Sequence, residues 1–305
     1  MKETAPVKQS AIPLFFSCLV PSFRLLKKND PLRLAGATAF FTTFALPPIV
    51  FLLAQLFGLF FTPRMVGRGL IENLGNSLGT EGAQQVREVI RSIRGFDDSW
   101  YVIVFGFLFL FFVATTLFIV IKNSLNQLWQ VNKKKHHGFV GDIFTRLRSF
   151  AVILLVGLLF FANLFFKSVE SMGGKYFEEM LKGSSFYFSL IFGELSSIII
   201  VAAWFIILFR FLADGKPAWK AAIIGGILTG ILFTAGRFVL RGLLVEGNIG
   251  QLYGASGSFV LVLLFVFYTS FIIYYGACFI AVYSDKQGWR LEGNSNKEEG
   301  IRNLK

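Results

Sequence analysis

Six apolar runs, each long enough to cross a bilayer, constrain this chain more than any other property it has. A helix rises about 1.5 Å per residue, so about 20 mostly apolar residues cover a hydrocarbon core of ~30 Å. The runs of that length are Leu34 to Phe61, Tyr101 to Ile121, Phe150 to Glu170, Phe186 to Leu212, Trp219 to Leu244 and Ser256 to Tyr283. Lipid offers no hydrogen-bond partner to the backbone, so each run must satisfy its own amides as a helix. Membrane β-strands are short and alternate in polarity, which excludes a β-barrel here. The expected fold class is an all-α integral membrane protein, a bundle of six transmembrane helices. A hydrophobic fraction of 54% with 16% charged residues fits lipid, not water, as the solvent.

Lys and Arg orient the bundle. Nineteen of them fall in residues 1–33, 122–149, 213–220 and 284–305, against seven in the opposite loops. The positive-inside rule then places both termini in the cytoplasm. The net charge of +12 becomes topological, lying against anionic lipid head groups, and no nucleic-acid partner is expected. Lys133, Lys134 and Lys135, followed by His136 and His137, form the densest basic cluster, but without interleaved aromatics or a recognition fold.

The chain divides into three regions. Residues 1–33 are a cytoplasmic N-terminal segment, 34–283 the six-helix membrane domain, and 284–305 a polar cytoplasmic tail. Within the first, residues 11–26 read as an amphipathic stretch in the plane of the membrane, with a processed signal segment as the alternative. Val86, Val89, Ile90 and Ile93 in the loop 62–100 have the spacing of an amphipathic helix. Asn123, Asn126, Gln127 and Trp129 have the composition of a head-group-level segment. Cys18 and Cys278 both fall towards the cytoplasm, where no disulfide is expected.

The spans carry the residues that could do chemistry. Pro47 and Pro48 remove two backbone donors from the first span, so the carbonyls of Thr43 and Phe44 lose partners and a kink is expected. Either this is a hinge, or hydroxyls such as Thr42 and Thr43 re-satisfy the freed groups. In the fifth span Ala222, Gly226 and Gly230 form a small-residue stripe suited to close helix packing. Arg237 and Arg241 continue that face, and Glu194 in the fourth span lies at a matching depth for Arg237. Asn163, Lys167 and Glu170 share a face of the third span, and Gln55 sits at similar depth in the first.

A charge at the centre of a membrane helix costs about 2.5–3.5 kcal/mol, so such groups are paired or hydrated. Two readings are open: an outward-facing polar cavity for an anionic solute or lipid head group, with Arg237, Arg241, Glu194, Asn163, Lys167 and Gln55 as its lining, or ion pairs and snorkelling side chains with a structural role. No catalytic constellation, metal-ligand spacing or phosphate-binding loop is present, so neither an enzyme nor a cofactor is expected.

The stretch LAGATAFFTTFALPPIVFLLAQLFG, the segment NSLNQLWQV, and the pair AAIIGGILTGILFTAGRFVL and IGQLYGASGSFVLVLLFVFYTSFIIYYGACFIAVY together resemble the YihY/BrkB family over residues 25 to 285. The resemblance implies a six-helix protein of the bacterial cytoplasmic (inner) membrane with cytoplasmic termini. It places Arg237 where relatives tend to carry a basic residue. A ribonuclease label attached to the family finds no support in these residues, which lack paired carboxylates for metal-assisted phosphodiester cleavage. Lipid or lipid-precursor export, suggested for relatives, agrees with a transporter or translocator. The alternative is a non-catalytic membrane scaffold for envelope assembly, working through a homo-oligomer or an envelope protein partner.

Overall fold

Helix formation follows the apolar runs in the computed structural model, which describes residues 11–58, 100–131, 146–147, 150–152, 154–155, 157–159, 184–245, 257–289 and 291. The long helices are α1 (Ala11–Lys28), α2 (Pro31–Gly58), α3 (Trp100–Leu128), α4 (Ser184–Ile207), α5 (Trp219–Val245) and α6 (Gly257–Lys286). Regular structure among the described residues is helical. Four helical windows are long and apolar enough to cross a membrane: Phe111–Leu128, Leu195–Leu212, Trp219–Val239 and Val262–Lys286. The third expected span is represented by helical residues between 150 and 159. The amphipathic pattern at Val86 to Ile93 and the triplet Lys133 to Lys135 lie outside the described residues.

Helix α6 is the hub, in contact with α1, α2, α3 and α5, while α2 also packs on α3 and α4 on α5. Trp129, Tyr274, Phe205, Phe209 and Phe279 are the largest fully buried side chains. Helix α5 is held between α4 and α6 by two sets of small residues. Facing α4, a Cβ on Gly230 would lie 3.1 Å from the Ala202 Cα, and one on Gly226 would meet Ile206. Facing α6, the space beside Gly225 is filled by Ile280 and that beside Gly236 by the Tyr268 ring. Small residues allow this approach because, within lipid, helices associate by packing and not by expulsion from water. The remaining face of α5 exposes Ile223, Ile227, Ile231 and Phe238. An apolar stripe of that length is untenable in water and suits an acyl-chain environment.

Helix α3 continues to Leu128, beyond the expected end at Ile121. The extension is stable because its polar residues are inside the protein: Ser124 and Asn126 are both buried. The helix closes with Gln130 at φ 53°, the Val131 N–H donating to Asn126 O (2.9 Å) and the Gln130 N–H to Gln127 O (3.1 Å). This is the Schellman arrangement, repeated at the end of α6 with Gly288 at φ 68°. There Trp289 packs on Tyr283 with ring centroids 5.9 Å apart. Arg146 ties its own segment to α3, its Cζ 3.9 Å from the Phe112 ring centroid and its Nη1 donating to Thr115 Oγ1 (3.1 Å).

Helix α1 runs antiparallel along the C-terminal half of α6. Phe15 meets Phe279 at 5.2 Å, and the Tyr275 hydroxyl donates to Leu19 O at 3.1 Å. Leu14, Cys18, Ser22 and Leu26, one turn apart, form its buried stripe. Burial pushes the Cys18 thiol above its ordinary range, against the opposing pull of Lys286 and a hydrogen bond with Ser17. Both Cys18 and Cys278 are free. Helix α2 passes through Pro47 and Pro48 as one helix. The nearby hydroxyls do not serve the carbonyls freed by proline. Thr42 donates to Thr38 O (2.7 Å) and Thr43 to Ala39 O (2.9 Å), one turn earlier, because a helical Thr reaches back and not forward.

Candidate functional site

Two places in the described helices bear on the polar residues of the spans. The first lies where α3, α6 and the connection from α4 to α5 meet. Helix α4 ends in a π-helical turn, Leu208–Leu212, which buries Leu208, Phe209 and Leu212 and passes into extended backbone at Ala213. Such a turn inserts a residue into the helical count and re-aims the chain beyond it. Its Arg210 donates from Nη1 to Pro217 O (2.8 Å) and stacks on Trp219, 5.1 Å from the ring centroid. Asp214, two residues after the turn, then reaches Asn126 on α3. The Asn126 Nδ2 donates to Asp214 Oδ2 (2.8 Å), and the Asp214 N–H donates to Asn126 Oδ1 (3.0 Å).

The other carboxylate oxygen of Asp214 pairs with Lys122 Nζ at 3.1 Å, where the Lys122 side chain is 13% exposed. One carboxylate thus completes an amide and neutralises a largely buried ammonium. The next residue is glycine because a Cβ on Gly215 would lie 2.8 Å from the Trp129 ring and 2.9 Å from Val131. Trp129 in turn donates from Nε1 to Ala277 O on α6 (2.8 Å). Deeper in the same region, Tyr274 of α6 is hydrogen-bonded to Thr38 of α2 and Ser124 of α3, all three buried. These contacts clamp three helices and the α4–α5 connection through side chains far apart in sequence. Trp129→Phe removes the donor to Ala277 and shrinks a fully buried ring; it is expected to lower stability by about 2 kcal/mol, read as a fall in the thermal midpoint in detergent.

The sequence pattern marks Asn126 and Trp129 only as a head-group-level composition, and it does not single out Lys122, Asp214 or Arg210. The cue for Asp214 is the turn chemistry of the Asp214, Gly215, Lys216, Pro217 stretch. Its partner lies 88 residues away and has no local signature.

The second place is the seam between α4 and α5. Contacts of Ile206 with Gly226 and of Ala202 with Gly230 fix an antiparallel register. Carried two turns further, that register sets residue 194 of α4 level with residue 238 of α5, one position from Arg237. Arg237 lies eleven residues beyond Gly226 and seven beyond Gly230, and therefore continues the side of α5 that faces α4. It is half-buried, its guanidinium carbon 5.3 Å from the Phe238 ring centroid. Glu194, Arg241 and Gln55 have described backbone positions in α4, α5 and α2; their side chains lie outside the described residues. Asn163, Lys167 and Glu170 also lie outside the described residues.

Among the described residues no group of three or more His, Cys, Asp or Glu side chains could hold a metal ion. What the seam offers is a half-buried cation within a membrane-length apolar window, at the level of a carboxylate position.

The profile of the family described as "Virulence factor BrkB" matches residues 22–300. A UPF0761 membrane protein of Pseudomonas aeruginosa (strain LESB58) is 22% identical over 258 residues, covering 84% of this chain and 60% of the relative. One from Vibrio vulnificus (strain YJ016) is 21% identical over 261 residues, with 84% and 79% covered. One from Aliivibrio fischeri (strain ATCC 700601 / ES114) is 25% identical over 262 residues, again with 84% and 79% covered. The matched stretch spans 60% of the length of the Pseudomonas relative. No solved structure matches the chain.

Proposed function

The chain belongs to the virulence factor BrkB family of membrane proteins, and from that premise we propose that it translocates an anionic lipid or solute across a bacterial cytoplasmic membrane. In this reading six spans cross the bilayer with both termini in the cytoplasm, as the asymmetry of nineteen basic residues against seven favours. The observation that carries the proposal is Arg237, half-buried on the α4-facing side of α5 and level with the Glu194 position. A permanent cation inside a span persists where it has a partner, water or an anionic cargo to meet. Arg241, Asn163, Lys167 and Gln55 would extend the same polar layer, and Pro47 and Pro48 would let α2 bend during passage. No catalysis and no cofactor are part of this reading.

Cysteine accessibility tests the cavity. In a background with Cys18 and Cys278 replaced by serine, a cysteine at position 237 is expected to react from outside the cell with a membrane-impermeant thiol reagent. A cysteine at the lipid-facing Ile231 should stay unlabelled. No labelling at 237 in folded protein would leave only packed pairs in the seam, which is what the alternative scaffold requires.

A further inference from the structure

A concavity lies away from the α4–α5 seam, at the elbow between α1 and α2. It encloses about 580 Å³, a volume in the range of small-molecule sites. Phe23 and Leu26 of α1, Leu32 of α2 and Phe271 of α6 make an apolar wall, while Lys27, Asp30 and Arg33 supply its polar rim. The elbow is a built turn. The Asn29 N–H donates to Leu26 O (3.0 Å) and its Nδ2 to Leu25 O (2.9 Å), while Asp30 adopts φ 51°. Pro31 opens α2, and the Leu34 N–H returns to Asp30 O (3.2 Å). Six residues apart in sequence, Lys27 and Arg33 are thereby brought to the rim of one cavity.

The rim is positive. Among the described residues Lys27 and Arg33 outnumber the rim's acid, Asp30, and Arg24 and Lys28 are exposed nearby, outside the cavity. Asp30 lies 4.0 Å from Arg33 Nε, with both side chains more than half exposed, and an ion pair of that kind contributes little. Arg33 can therefore exchange it for a phosphate, which accepts two parallel hydrogen bonds from a guanidinium. The apolar wall runs on into an exposed stripe of α1, where Phe16, Val20 and Phe23 share a face with Lys27. Cationic rim and apolar track together have the polarity of a phospholipid, whereas a free phosphate would leave the wall uncovered.

We infer that the α1–α2 elbow binds an acidic glycerophospholipid, its phosphate held by Lys27 and Arg33 and an acyl chain lying along Phe23, Leu32 and Phe271. The site shares no residue with the α4–α5 seam and stands whether or not the protein translocates anything.

Native mass spectrometry of the detergent-purified chain, titrated with dioleoyl phosphatidylglycerol or dioleoyl phosphatidylcholine, tests this. The unmodified protein should retain phosphatidylglycerol preferentially. K27Q/R33Q should weaken that retention by roughly thirtyfold, as expected for two cations near a membrane surface. R24Q/K28Q, with the same loss of charge outside the cavity, should retain more than half of the preference. Equal losses in the two variants, or full preference in K27Q/R33Q, would overturn the site. So would complete displacement of the lipid by millimolar inorganic phosphate, which would mark an ion site without an acyl track.

Discussion

Gly230→Leu is expected to leave little folded protein, and the fraction that folds should melt about 10 °C lower in detergent than the unmodified chain. A Cβ at this position would already lie 3.1 Å from the Ala202 Cα, so the obstruction is backbone and cannot rotate away. A leucine must therefore push α4 from α5 along the contact that also includes Gly226 and Ile206. Overpacking of a core costs typically 1–3 kcal/mol, and about 3 kcal/mol is the fitting figure where main chain is displaced. Gly230→Ala should cost much less, since a shift of a few tenths of an ångström accommodates one methyl. Ile231→Leu, one residue on and facing outward, should be neutral. Thermal melting of the three purified variants checks the order; a Gly230→Leu protein as stable as Ile231→Leu would show that α4 and α5 do not pack as described.

The second large effect is at Asp214. Asp214→Ala removes the acceptor for Asn126 Nδ2 and strands Lys122, whose side chain is only 13% exposed. Leaving one member of a largely buried pair without its partner costs about 3 kcal/mol or more. Asp214→Asn should fall between, because it can preserve the hydrogen bond with Asn126 while losing the charge opposite Lys122. The double variant Lys122→Met, Asp214→Asn should recover much of the loss, since it removes the stranded cation. Thermal midpoints of this set check the assignment, and additive losses in the double variant would contradict it.

The bilayer environment is legible in the sequence because lipid makes a demand on every residue of a span at once: long apolar runs have to be helices, and four of those windows appear as such. The small-residue stripe at Ala222, Gly226 and Gly230 is legible for the same local reason, although only the structure shows that α4 is the helix it faces. The second set, Gly225 and Gly236 against α6, escapes a sequence pattern because the glycines are not spaced at four. An end of α3 at Ile121 supposes that Lys122 and the Asn residues mark the head-group level. The polarity of Lys122 and Asn126 is instead consumed inside the protein by Asp214, and that of Ser124 by Tyr274, through pairings that no local pattern records. The π-helical turn at Leu208–Leu212, with Leu208, Phe209 and Leu212 buried, likewise has no local pattern that marks it. Arg237 stands out from its spacing alone; the level it shares with the Glu194 position rests on a helix register that sequence does not contain.

Translocation is tested most directly by reconstituting the purified chain into vesicles with fluorescent phosphatidylglycerol and monitoring dithionite quenching from outside. Protein-containing vesicles should expose inner-leaflet probe faster than empty ones, and Arg237→Ala, folded and equally incorporated, should lose most of that rate. Rates indistinguishable from empty vesicles across anionic head groups, or an Arg237→Ala protein as active as the unmodified chain, would contradict this reading.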